Sequence, residues 1–251
     1  MKIQLFSDLH VEFGHDYVPQ WDGESEILLL AGDIHLAKKA ENYSAFLMKL
    51  SSQGWDRIFL IAGNHEAYNY DYDKMLKEMP TIAATAGVEF LENDVVELTS
   101  DINLIAGTMW TDLSDPQVAL MAKYGMNDYR IIRKLTRKLT PEDTTQMFFK
   151  FRDLLDNSLD PFKKNIVMTH TAPHEMSGAK EYKGDALNAA YYTDMSEHMP
   201  LVHTWIHGHM HNTSKYKVGD CQVLANPYGY HGGGYDMVNP DFDHGGMSFK
   251  V

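Results

Sequence analysis

Five short apolar runs in this chain each end in residues able to hold a cation. Lys2 to Ser7 leads into Asp8-Leu9-His10, and Ile27 to Ala31 into Gly32-Asp33. Ile58 to Ala62 leads into Gly63-Asn64-His65-Glu66, and Ile166 to Thr169 ends at His170. A run near Val202 to Ile206 leads into His207-Gly208-His209-Met210-His211. Imidazoles and carboxylates without thiolate suit Mn²⁺, Fe or Zn²⁺ at a reactive centre better than a structural zinc. Asp8, His10, Asp33, Asn64, His170, His209 and His211 are too many donors for one tetrahedral ion, but they fit two ions if one carboxylate bridges. Two divalent ions about 3.5–4 Å apart are the arrangement for in-line displacement at phosphorus.

These residues must be brought to one edge. The runs have strand length, and helical patterns alternate with them, which gives an α/β fold. In open α/β sheets, ligands gather beyond the carboxyl ends of the strands. Ala40, Tyr43, Leu47 and Leu50 recur at helical spacing, and Gly54 closes that element. Leu76, Met79, Ile82, Ala83 and Ala86 predict another helix, with Pro80 expected to break or restart it. Short strands are expected around 88–91, 95–98 and 102–106. From about 107 to 165 the pattern changes, and the segment reads as a helical insertion over the sheet ends. One helix stands out there: Thr140 caps it, Pro141 suits its first turn, and Met147, Phe148, Phe151, Leu154, Leu155 and Leu159 form its apolar stripe. Cys221 to Ala225 is a further strand. Six of the 18 glycines lie between Gly229 and Gly246, so the stretch from about 226 to 246 reads as a loop over the site.

Composition narrows the class. The 251 residues are 44% hydrophobic and 23% charged, which is ordinary for a folded domain and excludes a disordered chain. No apolar run approaches the roughly 20 residues of a membrane-spanning helix. Asp8 interrupts the amino-terminal run before a signal-peptide core forms. The single cysteine, Cys221, excludes an internal disulfide and points to a reducing, cytoplasmic setting. The formal charge of −13 disfavours nucleic-acid backbone as partner, though Arg130, Arg133, Lys134, Arg137 and Lys138 form a local basic cluster. Four of these, Arg130, Arg133, Lys134 and Arg137, are expected on one helical face. Arg130 is the candidate phosphate clamp, because a guanidinium grips phosphate oxygens in pairs. His231 in the Gly-rich tail is a second candidate substrate contact. His35 and His207 flank the donor clusters and read as structural.

The ordered motifs Asp8-x-His10, Gly32-Asp33, Gly63-Asn64-His65-Glu66, His170 and Gly208-His209-x-His211 resemble those of the calcineurin-like metallophosphoesterase superfamily. Thr108 to Asp112, Asn127-Asp128-Tyr129-Arg130 and Asn226-Pro227-Tyr228-Gly229-Tyr230 are similar to a bacterial and phage subgroup of uncharacterised phosphoesterases. The resemblance implies one domain, residues 1–251, folded as a four-layer α/β/β/α sandwich of two mixed sheets. It implies that Asp8, His10 and His211 hold one divalent ion, that Asn64, His170 and His209 hold a second, and that Asp33 bridges both. His65 is then a proton donor or transition-state stabiliser rather than a ligand. Mn²⁺ is the first expectation, with Fe, Ni²⁺ and Zn²⁺ also accommodated. Gly32-Asp33 is not continued by the Asp-Arg-Gly signature of protein Ser/Thr phosphatases, which argues against a dedicated protein phosphatase. Many related sequences carry two successive histidines where this chain has His170-Thr171.

The function implied is metal-dependent hydrolysis of a small phosphoester or nucleotide, with water activated by the ions attacking phosphorus in line. A nuclease or cyclic-nucleotide phosphodiesterase is the alternative, with the basic cluster steering the substrate. A non-catalytic protein-binding scaffold of the same fold is a further alternative.

Overall fold

Strands that are apolar at every position must be covered on both faces. Ile27–Leu30 (β2) is buried throughout, and Lys2–Phe6 (β1) and Arg57–Leu60 (β3) are buried beyond their first residues. The computed structural model, which describes residues 1–179 and 183–251, covers both faces of these strands in four layers.

Glu89–Phe90 (β4) and Met247–Lys250 (β15) complete the first sheet, in the order β15-β1-β2-β3-β4. Its strands are parallel except β15, which runs antiparallel to β1. The second sheet has a parallel centre of Ile102–Ala106 (β6), Lys164–Met168 (β9), Val202–Ile206 (β10) and Cys221–Ala225 (β12). Asp94–Thr99 (β5) and Ser214–Val218 (β11) close its edges antiparallel. The order is β11-β12-β10-β9-β6-β5.

Alternate residues of each strand go to different cores. Leu5, Leu29 and Phe59 meet Leu104, Met168 and Ile206 between the sheets. Leu28, Leu30 and Leu60 pack outward on helices Ala40–Ser51 (α1) and Tyr72–Ala84 (α2). Ile105, Val167 and Trp205 pack outward on Pro141–Ser158 (α5) through Phe148, Phe151 and Leu155. Replacing one such buried phenylalanine by alanine costs about 3–5 kcal/mol. The chain is therefore the expected α/β/β/α arrangement of two mixed sheets.

Four local expectations need correction. Helix α2 runs through Pro80 without a break and is capped by Asp71, whose carboxylate accepts from the Lys74 N–H. Met75, Met79, Ile82 and Ala83 are buried along it, and that packing outweighs the missing proline N–H. The segment after residue 107 holds two further helices, Pro116–Gly125 (α3) and the single turn Asp128–Ile131 (α4), then a small hairpin of Arg133–Lys134 (β7) and Arg137–Lys138 (β8). Arg130, Arg133, Lys134 and Arg137 thus do not share a helical face. Lys134 pairs with Asp73 at 2.9 Å and Arg137 with Asp143 at 2.5 Å. The capped helix α5 belongs to the outer layer as the crossover between parallel β6 and β9. The Gly-rich tail is likewise not a plain loop: Gly229–Gly232 (β13) and Tyr235–Val238 (β14) form a hairpin, and β15 follows.

Candidate metal centre

The carboxyl ends of β1, β2, β3, β9 and β10 come together across the two sheets. The Asp8 N–H donates to the Gly32 carbonyl and the His10 N–H to the Asp33 carbonyl, each at 3.0 Å. Across the sheets, the Asp8 carboxylate accepts from the His209 N–H at 2.9 Å. Asp8, His10, Asp33, His209 and His211 all have left-handed backbone, with φ from 48° to 67°. This conformation bends the chain sharply in the turns that follow β1, β2 and β10. Such residues are uncommon, and Asp, Asn and His are enriched among them.

Among the described residues the strand ends supply two donor groups, and a third set, His10, Glu12 and His65, adjoins the first. Asp8, His10, Asp33 and His211 place one ligand atom each within 4.8 Å of one another, as do Asp33, His170 and His209. Asp33 is common to both. Its Oδ1 accepts from the His65 N–H at 2.8 Å. Its Oδ2 is left 3.7 Å from His10 Nε2 and 3.4 Å from His170 Nε2. In the first group, His211 Nε2 is 3.4 Å from Asp8 Oδ1 and 3.1 Å from His10 Nε2. In the second, His170 Nε2 is 3.0 Å from Asn64 Oδ1. Donors about 2.1 Å from one ion lie about 3.0 Å apart at right angles and about 3.4 Å apart in a tetrahedron. The observed separations are of the size that ligands of one divalent ion show, so each group has donors suited to a cation.

The surroundings fix which atom faces inward. His170 Nδ1 donates to the Ala31 carbonyl at 2.8 Å, leaving Nε2 for the centre. His10 Nδ1 faces Glu12 Oε1 at 3.2 Å and leaves its Nε2 free in the same way. Such outer partners set tautomer and ring orientation. Glu66 is fully buried, and its carboxylate accepts from the Asp33, Ile34 and Gly63 N–H groups and the Tyr43 hydroxyl. It ties the turn after β2 to the turn after β3. Gly63 is required there because a Cβ would come within 2.2 Å of Asp33 Oδ1 and 2.6 Å of His170 Cε1.

The donors differ in charge: burial opposes a charge on His170, yet Asp33 beside it raises its pKa to about 10. Burial, reinforced by His65, lowers the pKa of His10 to about 4. Burial, reinforced by His170, lowers His209 to about 3. Both imidazoles are thus neutral near pH 7, the form that ligates. Burial opposes ionisation of Asp8, yet the hydrogen bond and charge of His211 bring it down to about 2. His65 behaves like His170. Burial works against its charge, but Asp33 and Glu12 overcome this and raise its pKa. Its Nδ1 faces Glu12 Oε1 at 2.9 Å.

The other sequence candidates lie elsewhere. Arg130 is exposed and hydrogen-bonds Asn127, while its neighbour Asp128 turns inward to the Asn64 amide at 2.8 Å. His231 sits 3.6 Å from Asp236 across the hairpin, with its ring toward His15 and Tyr228. Adjacent strand residues face opposite ways, and it is Tyr230 whose ring lies 4.5 Å from His10 and 4.4 Å from His211. His35 and His207 are buried outside both donor groups. Glu12, Asp128 and Tyr230 are thus the residues that sequence reasoning missed. Asp128 and Tyr230 stand inside subgroup motifs and Glu12 follows His10 by two, but only the folded chain shows what they touch.

Residues 1–213 match the family described as calcineurin-like phosphoesterase. Over 265 aligned residues the chain is 28% identical to an uncharacterised protein of Acanthamoeba polyphaga mimivirus, covering 91% of each. Among solved structures it is similar to phosphopantetheinyl hydrolase from Mycobacterium tuberculosis, with a TM-score of 0.68 at 13% identity, covering 91% of this chain and 89% of that one. A Thermus thermophilus protein gives a TM-score of 0.51 at 12% identity, covering 90% and 88%. At such identity the structural likeness is one of fold. Among the described residues, no helix is long and apolar enough to cross a membrane.

Proposed function

Because the chain belongs to the calcineurin-like phosphoesterase family, we propose that it hydrolyses a small phosphoester or nucleotide with two divalent cations, Mn²⁺ foremost. The observation that carries this is Asp33 Oδ2, placed 3.4 Å and 3.7 Å from the imidazoles of two separate donor groups. Asp8, His10, Asp33 and His211 would hold one ion, and Asp33, Asn64, His170 and His209 the other. Bound there, the ions would neutralise phosphoryl oxygens and acidify a water for in-line attack.

The chain's own residues do the rest. Glu12 holds His65 through Nδ1, so Nε2 is the atom presented to the leaving group. The raised pKa lets His65 keep the proton that the departing oxygen needs. Beside His209, a cleft of about 290 Å³ is lined by Asp185, Leu187, Asn188, Tyr191 and Met210. That is near the lower limit of ligand pockets and favours a small substrate. Arg130, exposed at the end of α4, is available to a substrate that extends beyond the cleft. With a charge of −13, the surface favours a substrate neutralised by bound cations over a long nucleic acid.

The test is chelation followed by reloading with Mn²⁺, Fe²⁺, Ni²⁺ or Zn²⁺. Metal content and hydrolysis of p-nitrophenyl phosphate, bis(p-nitrophenyl) phosphate and nucleoside monophosphates are measured for each. Two ions per chain with metal-dependent turnover are expected, and His65→Ala should keep both ions while losing roughly 10²–10⁴-fold in kcat. Stoichiometric metal without cleavage of any ester would overturn the reading.

A further inference from the structure

The C-terminal hairpin lies beyond the family match at residues 1–213, yet it reaches the centre of the site. The Tyr230 hydroxyl is 3.2 Å from His65 Nε2, the nitrogen that Glu12 leaves free. The hairpin is held there by backbone contact. Gly232 has a φ of 87°, and a Cβ on it would come within 2.5 Å of the Phe13 carbonyl oxygen. The β13–β14 turn therefore lies flush on Val11–Phe13, the turn that follows His10.

Aromatic rings continue outward from this point. Phe13 has its ring 6.4 Å from His65 and 5.4 Å from Tyr230. Tyr235, 49% exposed, lies 5.0 Å from Phe13 and 5.7 Å from Tyr230. An aromatic wall thus runs from His65 to solvent.

Building on the phosphoesterase reading, we propose that the hairpin forms the leaving-group subsite: the Tyr230 hydroxyl donates a hydrogen bond to the leaving-group oxygen beside His65, and Phe13 and Tyr235 receive a planar leaving group, aryl or nucleoside. Charge builds on that oxygen as its bond to phosphorus breaks, so a fixed donor there gains strength in the transition state. Water oxygen bonds to phosphorus as the ester bond breaks. The departing oxygen takes a proton from His65, the proton shed by water passes to solvent, and Tyr230 keeps its own. The two groups are 3.2 Å apart, so an oxygen to one side of the pair lies within hydrogen-bond reach of both and can accept from each.

The experiment uses the full chain loaded with Mn²⁺, with aryl phosphates of graded leaving-group acidity alongside methyl phosphate. Tyr230→Phe should retain wild-type Mn²⁺ content and wild-type affinity for inorganic phosphate by calorimetry. Its kcat should fall roughly 10²-fold, and more for the poorer leaving groups. Tyr235→Ala should raise KM several-fold for aryl and nucleoside esters and leave KM for methyl phosphate unchanged. Unchanged kcat in Tyr230→Phe, or an equal loss for every leaving group, overturns the proposal while the phosphoesterase reading stands. Metal-loaded wild type that cleaves no ester overturns both.

Discussion

Asp128 holds the amide of Asn64: its Oδ1 accepts from Asn64 Nδ2 at 2.8 Å. An amide has a donor end and an acceptor end, and only the oxygen can ligate a cation. With Nδ2 engaged by Asp128, Oδ1 is the atom turned to His170 Nε2. Asp128→Ala leaves the amide only its bond from Nδ2 to the Tyr68 hydroxyl at 3.0 Å, which loosens its orientation. Affinity for one of the two ions should fall about 10–100-fold, with the other retained, as read by calorimetric Mn²⁺ titration.

Glu12 serves two imidazoles at once, with Oε1 3.2 Å from His10 Nδ1 and 2.9 Å from His65 Nδ1. Glu12→Ala removes the acceptor that sets both tautomers. Metal affinity through His10 should weaken by about 10–100-fold, and kcat should drop further than lost metal explains. Saturating Mn²⁺ then restores only part of the activity, whereas Glu12→Gln, which keeps one acceptor oxygen, recovers more. Full recovery in Glu12→Ala at saturating metal would show that His65 does not need this partner.

Gly63→Ala tests whether the fold or the ions place Asp33. The added methyl would sit 2.2 Å from Asp33 Oδ1 and 2.6 Å from His170 Cε1, so one of these must move. Two-ion binding should be lost, with destabilisation of about 1–3 kcal/mol from overpacking, measured by urea unfolding of the metal-free protein. Normal Mn²⁺ stoichiometry in this variant would contradict the tight packing of the turn.

Acid stability should depend on His207. It is fully buried, Nδ1 donates to the Gly208 carbonyl, and Nε2 accepts from Ser177. Burial lowers its pKa to about 4, against 6.5 in the unfolded chain. Between those values the unfolded state binds a proton that the folded state refuses, so stability rises with pH. The contribution is whole above pH 6.5 and is lost as pH falls toward 4, to a total of about 3 kcal/mol. His207→Asn should flatten the fall in unfolding free energy between pH 7 and pH 4 by that order. An unchanged slope would assign the acid lability to other groups.

How far the sequence discloses the site depends on the range of the interaction. That these side chains would meet was legible because each lies within a few residues of the end of a short apolar strand, and strand ends in an α/β fold share an edge. Helix α5 was legible for a similar reason, since Thr140, Pro141 and Asp143 declare its start locally. What stayed hidden is tertiary. Nothing near Asp128 in the sequence says that it meets Asn64, 64 residues away, and nothing near Tyr230 says that it meets His65, 165 residues away. The Gly-rich tail looked like a loop because glycine lacks strand propensity, yet Gly232 is there to let a hairpin lie against the Phe13 backbone. Arg130 drew attention by its charge, while the neighbouring carboxylate of Asp128 is the group that turns inward.

The left-handed backbone at Asp8, His10, Asp33, His209 and His211 restricts the permissible alphabet at those five positions. Coordination alone would accept glutamate wherever it accepts aspartate. The torsion angles prefer glycine, asparagine, aspartate and histidine, and of these only the last three can ligate. Conservative swaps such as Asp8→Glu therefore meet resistance from the main chain before any question of ion chemistry arises, and the economy of residue types at this centre is dictated as much by stereochemistry as by affinity.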